Sequence, residues 1–427
     1  MSGTGATTSE RRLIQVDGPP LGHIPSFDGL RGLFIIQVVL YHAEVTLFIK
    51  GSPILIDWFF VASGFLITTL LLDEFKKTGD IALRRFYKRR ALRLFPAMYA
   101  MIAVFSVLMF VAMRFIPDQD GLETMWWLES LSAALYVYNI VAAFFPGTMG
   151  ILGYLWSLAV EEQFYFGWPP LIRRILRKRT RRTDMVLIGG AITFVVVFFT
   201  LRYSLGSAIE TSATTGHPTY ADEGNITWQG VVYRIASTRP DVIVLGCLTA
   251  VLARKIPRPV PERIRKVLGV VAYIAWGWFG LVLLTCAPGA PSAFSMFGGP
   301  VYQIGLLMLV PIMLDGYLRQ DTWYSRLFSM KWAQWLGLRI YGIYVWHGIV
   351  LLMCAPAILG AYGMQRRLIG TAASVLAIGA GLLSYRFLEQ RFLRSAGSGV
   401  LKRKAGGDDT AGTAGASAAD ATKGSPE

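Results

Sequence analysis

The sequence predicts an all-α polytopic membrane bundle of about ten transmembrane helices, plus one re-entrant or peripheral segment. Hydrophobic residues make up 54% of the 427 residues and charged residues only 16%, whereas soluble domains carry roughly 25% charged residues. The mean hydropathy is +0.47, and long apolar runs alternate with charged loops. This composition argues against a soluble enzyme, a disordered protein and a secreted disulfide scaffold, because too few polar groups are available to cover a surface in water.

The two ends of the chain differ in composition from its apolar middle. Residues 1–25 are small, polar and basic, and they lack the apolar core of a signal peptide. Residues 396–427 are rich in Gly, Ala, Ser and Asp, which is typical of disorder. We therefore expect a disordered cytoplasmic N-terminus at 1–25, a transmembrane domain at 26–395 and a disordered cytoplasmic tail at 396–427.

The apolar runs give the candidate spans in chain order. They are 31–49, 53–73, 94–115, 154–172, 185–203, 241–255, 267–286, 298–316, 337–358 and 369–388. The basic loops 74–93 and 254–266 are expected in the cytoplasm and the acidic loop 116–130 outside, because Lys and Arg concentrate in cytoplasmic loops. Both termini are then cytoplasmic in a multi-pass protein of the cell membrane, and the net charge of +15 needs no nucleic-acid partner. Arg366 and Arg367 are the one exception to this charge rule.

The apolar run 131–146 decides the number of crossings. It contains Tyr136, Tyr138 and Asn139 and ends at Pro146. The basic block 173–182 belongs on the cytoplasmic side, so an odd number of crossings must lie between 130 and 173. We therefore interpret 154–172 as the crossing and 131–146 as a re-entrant or outer-surface segment.

The first span carries two ionisable side chains, Arg31 and His42, on one helical face. Eleven residues at 100° each leave them roughly 20° apart in azimuth, and about 16 Å apart in depth. Ionisable groups at membrane depth cost several kcal/mol and are functional candidates by default. The structural alternative is an interfacial Arg and a His that bonds to a neighbouring helix.

The span 154–172 contains two adjacent carboxylates, Glu161 and Glu162. Counted from the outer end of that span they lie about 10 Å deep, and His42 counted in the same way lies at about 9 Å. Because adjacent residues point about 100° apart, one Glu can face His42 while the other faces another helix. A buried structural ion pair, for example with Arg239, is the alternative.

Six further polar residues, of which Asp28 lies beside Arg31 in the first motif, are candidates for a substrate-binding or supporting role. His347 is expected near mid-depth, where a structural role is as well supported as a functional one. Asp57, Arg239 and Asp241 lie near outer span ends, and Arg239 and Asp241 are expected to organise an outer vestibule. Ser63 is a possible nucleophile, but a Ser beside a Gly is more often a helix-packing position.

The cytoplasmic run 84–93 alternates cations with Phe86 and Tyr87. The positive-inside bias accounts for part of this charge. The cluster, and above all the helical neighbours Arg90 and Arg93, also suits a polyanionic ligand that carries phosphates and a purine ring. There is no Walker A or GxGxxG sequence, so nucleotide triphosphate chemistry is not supported. Three isolated cysteines in apolar runs predict neither a metal site nor a disulfide framework.

An ordered set of segments resembles the acyltransferase-3 family of integral membrane acyltransferases, which O-acylate envelope sugars and some macrolides. The matching segments cover about 27–393 and are FDGLRG with Arg31 and His42, IDWFFVASGFLI (56–67), FYKRRALRLFP (86–96), WSLAVEEQFYFGWP (156–169), STRPDVIVLG (237–246), LGLRIYGIYVWH (336–347) and LSYRFLEQRF (383–392). The resemblance implies acyl-CoA as donor, an essential His42, and contacts of Arg90 and Arg93 with the CoA phosphates. Ala62 replaces the commoner Leu, and no esterase-like domain follows 393, so we expect the stand-alone form with an unspecified acceptor.

These observations predict a membrane O-acyltransferase that moves an acyl group, most simply acetyl, from cytoplasmic acyl-CoA to a hydroxyl of a carbohydrate, glycolipid or macrolide. Arg89, Arg90 and Arg93 would hold the donor, and Arg31, within the segment that also contains Asp28, would close the donor side. His42 would act as general base, oriented by Glu161 or Glu162. A His-acyl intermediate stays open. A transporter or flippase of lipid-linked sugars or drugs is the alternative class, since it too places ionisable residues in the membrane.

Overall fold

The computed structural model describes residues 24–45, 50–115, 122–145, 150–178, 183–212, 228–287, 290–295 and 299–392. Its α-helices are α1 Pro25–His42, α2 Pro53–Thr78, α3 Leu83–Phe115, α4 Leu122–Ala134, α5 Tyr138–Phe144, α6 Trp156–Arg177, α7 Thr183–Ser212, α8 Trp228–Ser237, α9 Pro240–Lys255, α10 Glu262–Thr285, α11 Pro300–Leu318, α12 Trp323–Phe328, α13 Lys331–Gly337, α14 Ile340–Leu359 and α15 Gly363–Ser384. A π-helical turn, Tyr385–Glu389, continues α15. Within these residues there is no β-strand, so the predicted all-α class is confirmed.

Among the described residues, seven helices are long and apolar enough to cross a membrane, or eight spans result if the bent pair α8–α9 is one span. With the bent pair included, these helices correspond to eight of the ten predicted spans. The other two predicted spans coincide with α1 and α6, which carry the ionisable side chains singled out above and fall outside this apolar set. Membrane character is therefore confirmed, whereas the predicted number of about ten is not.

The first helix begins earlier and ends earlier than the span predicted at 31–49. Pro25 occupies its first turn, where a missing N–H costs nothing, and Ile24 is already buried. The described chain thus includes residues 24 and 25, the last two of the predicted N-terminal segment. Residues 1–23 and 393–427, which include nearly all of both predicted disordered ends, lie outside the described residues.

Helix α1 begins at one end of the bundle, and Gly51, just before α2, lies at the other end. A Cβ added at Gly29 would lie 1.6 Å from the Phe328 carbonyl oxygen beside α12, and one added at Gly370 would lie 2.7 Å from the Ala43 carbonyl oxygen. The Gly51 amide donates to Leu283 near the far end of α10. We call the end that holds Arg84–Arg93 the basic end. His42 thus lies where α1 stops, between the two ends.

Arg366, one of the two exceptions to the charge rule, forms an ion pair with Glu44. This pair joins the start of α15 to the residues that follow α1. The negative charge of Glu44 thus balances the positive charge of Arg366, which lies on the side where the charge rule expects few Lys and Arg residues.

The segment predicted not to cross, 131–146, contains the end of α4 and all of α5, helices of 13 and 7 residues. A crossing needs about 20 residues, so neither is a candidate span. Helix α6 then begins inside the bundle, because the Ser157 hydroxyl lies 2.5 Å from the Tyr344 hydroxyl. Tyr344 is about 6 Å along α14 from its first residue, at 1.5 Å per residue.

The centre of the bundle is α2, the most buried of the candidate spans. Its Gly64 lies against the backbone of α9, where an added Cβ would be 2.0 Å from the Ile243 carbonyl oxygen, and Gly246 makes the reciprocal approach to Val61 at 2.1 Å. Two helices can approach this closely only where neither has a side chain. Cys247 and Cys286 are buried and Cys354 is half-buried, and all three are free thiols.

Candidate active site

A cavity of about 310 Å³ lies between α1, α2, α3, α6 and α14. Its polar lining comes from Arg31, Ser63, Arg90, Arg93, Ser157, Glu161, Glu162, Tyr165, Tyr341 and Tyr344. Arg93 is exposed, so the cavity reaches the surface near the basic end. The fold therefore brings six sequence-predicted residues, from four separate motifs, into one space: Arg31, Ser63, Arg90, Arg93, Glu161 and Glu162.

Glu162 is paired with Arg90 across the cavity. The Arg90 Nε and Nη2 groups donate to the two carboxylate oxygens at 3.3 and 2.8 Å, which is the bidentate geometry that a planar guanidinium favours. The Arg90 guanidinium carbon also lies 3.0 Å from the centre of the Tyr165 ring. Arg90 is thus held on two sides, and its Nη1 group takes no part in the pair.

Glu161 accepts hydrogen bonds from the hydroxyls of Ser63 and Tyr165. Tyr165 follows Glu161 by four residues on α6, so both side chains lie on one face of that helix. Ser63 comes from the middle of α2 and lines the cavity. The Ser63 hydroxyl is therefore engaged by a carboxylate and is more than a helix-packing position.

The other predicted cationic residues lie toward the basic end. The Nη1 atom of Arg31 lies 3.5 Å from the Oδ1 atom of Asp28, which is one turn earlier on α1. Arg89 and Arg93 are exposed; Arg93 lines the cavity, whereas Arg89 does not. The surface near Arg93 is thus the part of the cavity best suited to meet phosphate groups.

His42 belongs to a ring cluster with His347, Tyr154 and Tyr344. The ring centroids of His42 and His347 are 5.0 Å apart, and that of Tyr154 lies 4.6 Å from His347 and 6.4 Å from His42. Tyr344 lies 5.4 Å from His347 and also lines the cavity. Tyr344 therefore connects the histidine cluster to the cavity.

The backbone contacts of the two histidines define which ring nitrogen carries the proton. The His42 Nδ1 lies 2.8 Å from the Val38 carbonyl oxygen, and the His347 Nδ1 lies 2.6 Å from the Tyr344 carbonyl oxygen. A carbonyl only accepts, so each Nδ1 donates and each neutral ring has its lone pair on Nε2. His42 is exposed, whereas His347 is fully buried and its Nε2 has no partner among the described residues.

The predicted pairing of His42 with Glu161 or Glu162 is wrong. Glu161 bonds to Ser63 and Tyr165, and Glu162 bonds to Arg90. The physical reason is the depth at which α6 begins, since its Ser157 is level with Tyr344 of α14. Glu161, four residues after Ser157, lies about 6 Å closer to the basic end. His347, three residues after Tyr344 and beside His42, lies about 4.5 Å farther from the basic end. The carboxylates and His42 are thus separated by about 10 Å along the bundle.

Asp57, Arg239 and Asp241 lie in buried ion pairs that do not line the cavity. Arg239 donates to Asp57 at 2.7 Å and to the Tyr302 hydroxyl at 2.9 Å. Arg202 binds both oxygens of Asp241 at 2.6 and 2.7 Å. Glu161 and Glu162 do not pair with Arg239, so that structural alternative is also set aside.

Sequence reasoning missed the tyrosines that complete the site and the arginine that holds Asp241. Tyr165 had a signal, since its spacing of four residues from Glu161 puts both on one face. Arg202 lies in the predicted fifth span, where an ionisable residue is itself a signal. Tyr154 and Tyr344 had no local signal, because their roles depend on where α6 starts.

A family model described as an acyltransferase domain matches residues 24–386. The chain is 29% identical to the peptidoglycan O-acetyltransferase OatA of Listeria monocytogenes, over 86% of this chain and 55% of that protein. It is 28% identical to the putative peptidoglycan O-acetyltransferase YrhL of Bacillus subtilis, over 78% of this chain and 49% of that protein.

A putative O-acetyltransferase of Staphylococcus aureus is 26% identical over 87% of this chain and 57% of that protein. The chain thus spans about half the length of the curated relatives it matches, and no solved structure matches it significantly. The family match covers well over half of the chain and agrees with the all-helical membrane fold and its polar cavity. The chain belongs to the acyltransferase-3 family of membrane acyltransferases.

Proposed function

We propose that this enzyme transfers an acetyl group from acetyl-CoA to a hydroxyl of a cell-envelope carbohydrate. The observation that carries the proposal is the cavity, which is lined by Arg31, Arg90 and Arg93 and extends to Tyr344. Tyr344 packs against His347, and His347 packs against His42. Cationic groups and a potential general base are therefore connected within the bundle.

The donor enters at the basic end, which faces the cytoplasm in this proposal. Arg93 and Arg89 are exposed and offer their guanidinium groups to the CoA phosphates. Arg90 contributes through its Nη1 group while Glu162 and Tyr165 hold the rest of its side chain in place. Arg31 closes the donor side, with Asp28 beside it.

His42 acts as general base on the acceptor. Its Nε2 takes the hydroxyl proton as the acceptor oxygen attacks the thioester carbonyl. The C–S bond then breaks, and the leaving CoA thiolate takes that proton from His42, which regenerates the neutral ring. The exposed position of His42 supports access for an acceptor. The donated bond from Nδ1 to Val38 supports the required tautomer, and His347 positions the ring.

Glu161 and Glu162 act on the donor side in this proposal and no longer as partners of His42. Glu162 fixes Arg90, and Glu161 fixes Ser63 and Tyr165 around the cavity. Asp57, Arg239 and Asp241 support the site from within the neighbouring helices. They act by holding α2 and α9 in place.

The acceptor class comes from the relatives, two of which are named for peptidoglycan. We therefore propose a glycan hydroxyl on the side of the membrane opposite the basic end. The bilayer is that of the cell membrane, with both chain termini in the cytoplasm.

The test is acetyl transfer by the full chain, purified in lipid nanodiscs with isotope-labelled acetyl-CoA and soluble peptidoglycan fragments. Mass spectrometry measures both the acetylated product and the released CoA. We expect transfer by the native protein and a loss of at least 100-fold in His42→Ala. Full transfer by His42→Ala would overturn the mechanism, and the absence of any CoA release with every acceptor would favour the transporter alternative.

A variant pair tests the donor side. Arg93→Gln removes an exposed arginine that lines the cavity, and Arg84→Gln removes an exposed arginine of the same helix that does not. We expect Arg93→Gln to raise the KM for acetyl-CoA about tenfold, with Arg84→Gln unchanged. Equal effects of the two variants would contradict the proposed phosphate contact.

A further inference from the structure

We propose that a second cationic groove, separate from the acyltransferase cavity, binds the phosphate headgroup of an anionic phospholipid. The groove has a volume of about 910 Å³ and lies between α13, the start of α14, α15 and the π turn. It is lined by Trp335, Arg339, Gly379, Leu382, Leu383, Tyr385, Arg386, Phe387, Gln390 and Arg391. It shares no lining residue with the acyltransferase cavity.

Arg339 is built into the wall of this groove. Its guanidinium carbon lies 4.1 Å from the centre of the Trp335 ring and 4.9 Å from that of Tyr385. Its Nη1 group donates to the Trp335 carbonyl oxygen at 2.5 Å. The side chain is thus ordered before any ligand binds, which lowers the entropy lost on binding.

The π turn brings two more arginines to the same groove. The Gln390 amide donates to the Tyr385 carbonyl oxygen, five residues earlier. In a regular α-helix, residues five apart point about 140° away from each other; an i+5 turn brings such residues nearer to alignment. Arg386 and Arg391, which are five apart, both line the groove as a result. Such π turns are rare and are frequently found at functional sites.

All of the charged residues that line the groove are positive. Three arginines contribute, and no carboxylate is in the lining. The nearby Glu389 is buried and faces α14, since a Cβ at Gly342 would lie 2.6 Å from its Oε1. A ligand that neutralises these arginines must therefore come from outside the described residues of the chain.

The apolar part of the groove indicates a lipid as the source of the phosphate. Leu383, Phe387 and Trp335 expose 58, 52 and 48% of their surface beside the arginines. A soluble phosphate would leave these side chains unused, whereas an acyl chain would cover them. The groove also lies at the basic end, because Arg339 directly precedes α14, and the Tyr341 hydroxyl of α14 donates to the carbonyl oxygen of Leu94, the residue after Arg93. Basic pockets at this position between membrane helices are typical sites for anionic headgroups.

The experiment compares two double variants of the full chain with matched loss of charge. Arg386→Gln with Arg391→Gln removes two groove arginines. The control, Arg263→Gln with Arg326→Gln, removes two exposed arginines of α10 and α12 that do not line the groove. Native mass spectrometry in detergent measures retention of phosphatidylglycerol, with phosphatidylcholine as the neutral lipid and glycerol phosphate as the soluble anion.

We expect the native protein and the control to retain one phosphatidylglycerol in preference to phosphatidylcholine. The groove variant should bind it roughly 30-fold more weakly, from about 1 kcal/mol per arginine. Equal retention by the groove variant and the control would overturn the proposal. Competition by glycerol phosphate at the same concentration would also overturn it, because the apolar lining would then contribute nothing. Neither outcome depends on acetyl transfer.

Discussion

At the scale of single residues, the site is held by side chains that have several partners at once. Arg90 pairs with Glu162 and covers the Tyr165 ring, while Tyr165 donates to Glu161. Each group is thus fixed from more than one direction. Such a network is strong when it is complete and costly when one member is removed, because the remaining buried charge loses its partner.

The pair between Arg90 and Glu162 gives the first prediction. We expect Glu162→Gln to lower the unfolding free energy by about 2 kcal/mol and acetyl transfer by at least 100-fold, because it leaves the half-buried Arg90 guanidinium without its carboxylate partner. Arg90→Gln combined with Glu162→Gln should recover part of the stability without recovering transfer. Thermal unfolding and product formation are measured together.

The exposed pair Glu262–Lys266 supplies the control for that measurement. Glu262→Gln should change stability by less than about 0.5 kcal/mol, since exposed helix pairs contribute little. Recovery of transfer in the double variant would show that the pair has only a structural role.

Asp80, in the loop between α2 and α3, gives a prediction about pH. Arg173 and Arg177 each bind both of its oxygens, and these hydrogen bonds hold the pKa of the Asp80 carboxyl well below its usual range. A lowered pKa stabilises the folded state above the unfolded value of about 3.9, and that contribution is lost as the pH falls further.

We therefore expect Asp80→Asn to lower the unfolding temperature by the same amount at every pH from 5 to 8. The difference from the native protein should shrink below about pH 4 and also with added salt, because the pair is exposed. Unfolding temperatures of both proteins across this range provide the measurement. A difference that grows as the pH falls would contradict the assignment.

At the scale of helices, the close contact of α2 with α9 explains how the site is kept in register. Gly64 and Gly246 lie against each other's helix backbone, one residue from Ser63 and five from Asp241. Asp57 and Asp241 form their ion pairs on these same two helices. Glycine packing and buried ion pairs thus fix the helix that contributes Ser63 to the cavity.

This contact gives a prediction for the helix pair. Gly64→Ala and Gly246→Ala each place a Cβ within about 2 Å of a carbonyl oxygen, so the helices must separate. We expect each to cost 1–3 kcal/mol or more, as overpacking does, with less monodisperse protein on size exclusion. Gly277→Ala on α10, where an added Cβ meets nothing within 4 Å, should be neutral or stabilising. Equal behaviour of the three variants would contradict the contact.

At the scale of the whole molecule, the cationic groups of the cavity and the histidine cluster lie at different depths along the bundle. The arginines of the cavity lie toward the basic end, and the histidine cluster lies about 10 Å from the carboxylates. The anionic-lipid groove lies at the basic end as well. One face of the membrane therefore supplies the negatively charged ligands in our proposal, and the other supplies the acceptor.

Labelling of introduced cysteines tests this orientation. Lys77, at the end of α2, and Tyr362, before α15, are both exposed and lie at opposite ends. In a Cys354→Ala background, we expect an impermeant maleimide to label Tyr362→Cys in intact cells. Lys77→Cys should react only after the cells are permeabilised. The reverse pattern would invert the proposed orientation. Identical labelling of the two positions would contradict an odd number of membrane crossings between Lys77 and Tyr362.

Much of this protein follows from the sequence by itself. Composition and apolar run length determine the membrane class and eight of the spans, because the thickness of the hydrocarbon fixes the length of a crossing helix. Ionisable residues at membrane depth also identify Arg31, His42, Glu161 and Glu162 as candidates, since their cost requires a reason. The ordered motifs identify the family.

The tertiary structure alone decided which of these residues meet. The sequence gives the rise along each helix but not the depth at which a helix begins, and α6 begins inside the bundle, level with Tyr344. A displaced start moves every later residue by the same distance. For this reason Glu161 and Glu162 meet Ser63, Tyr165 and Arg90, and His42 meets His347.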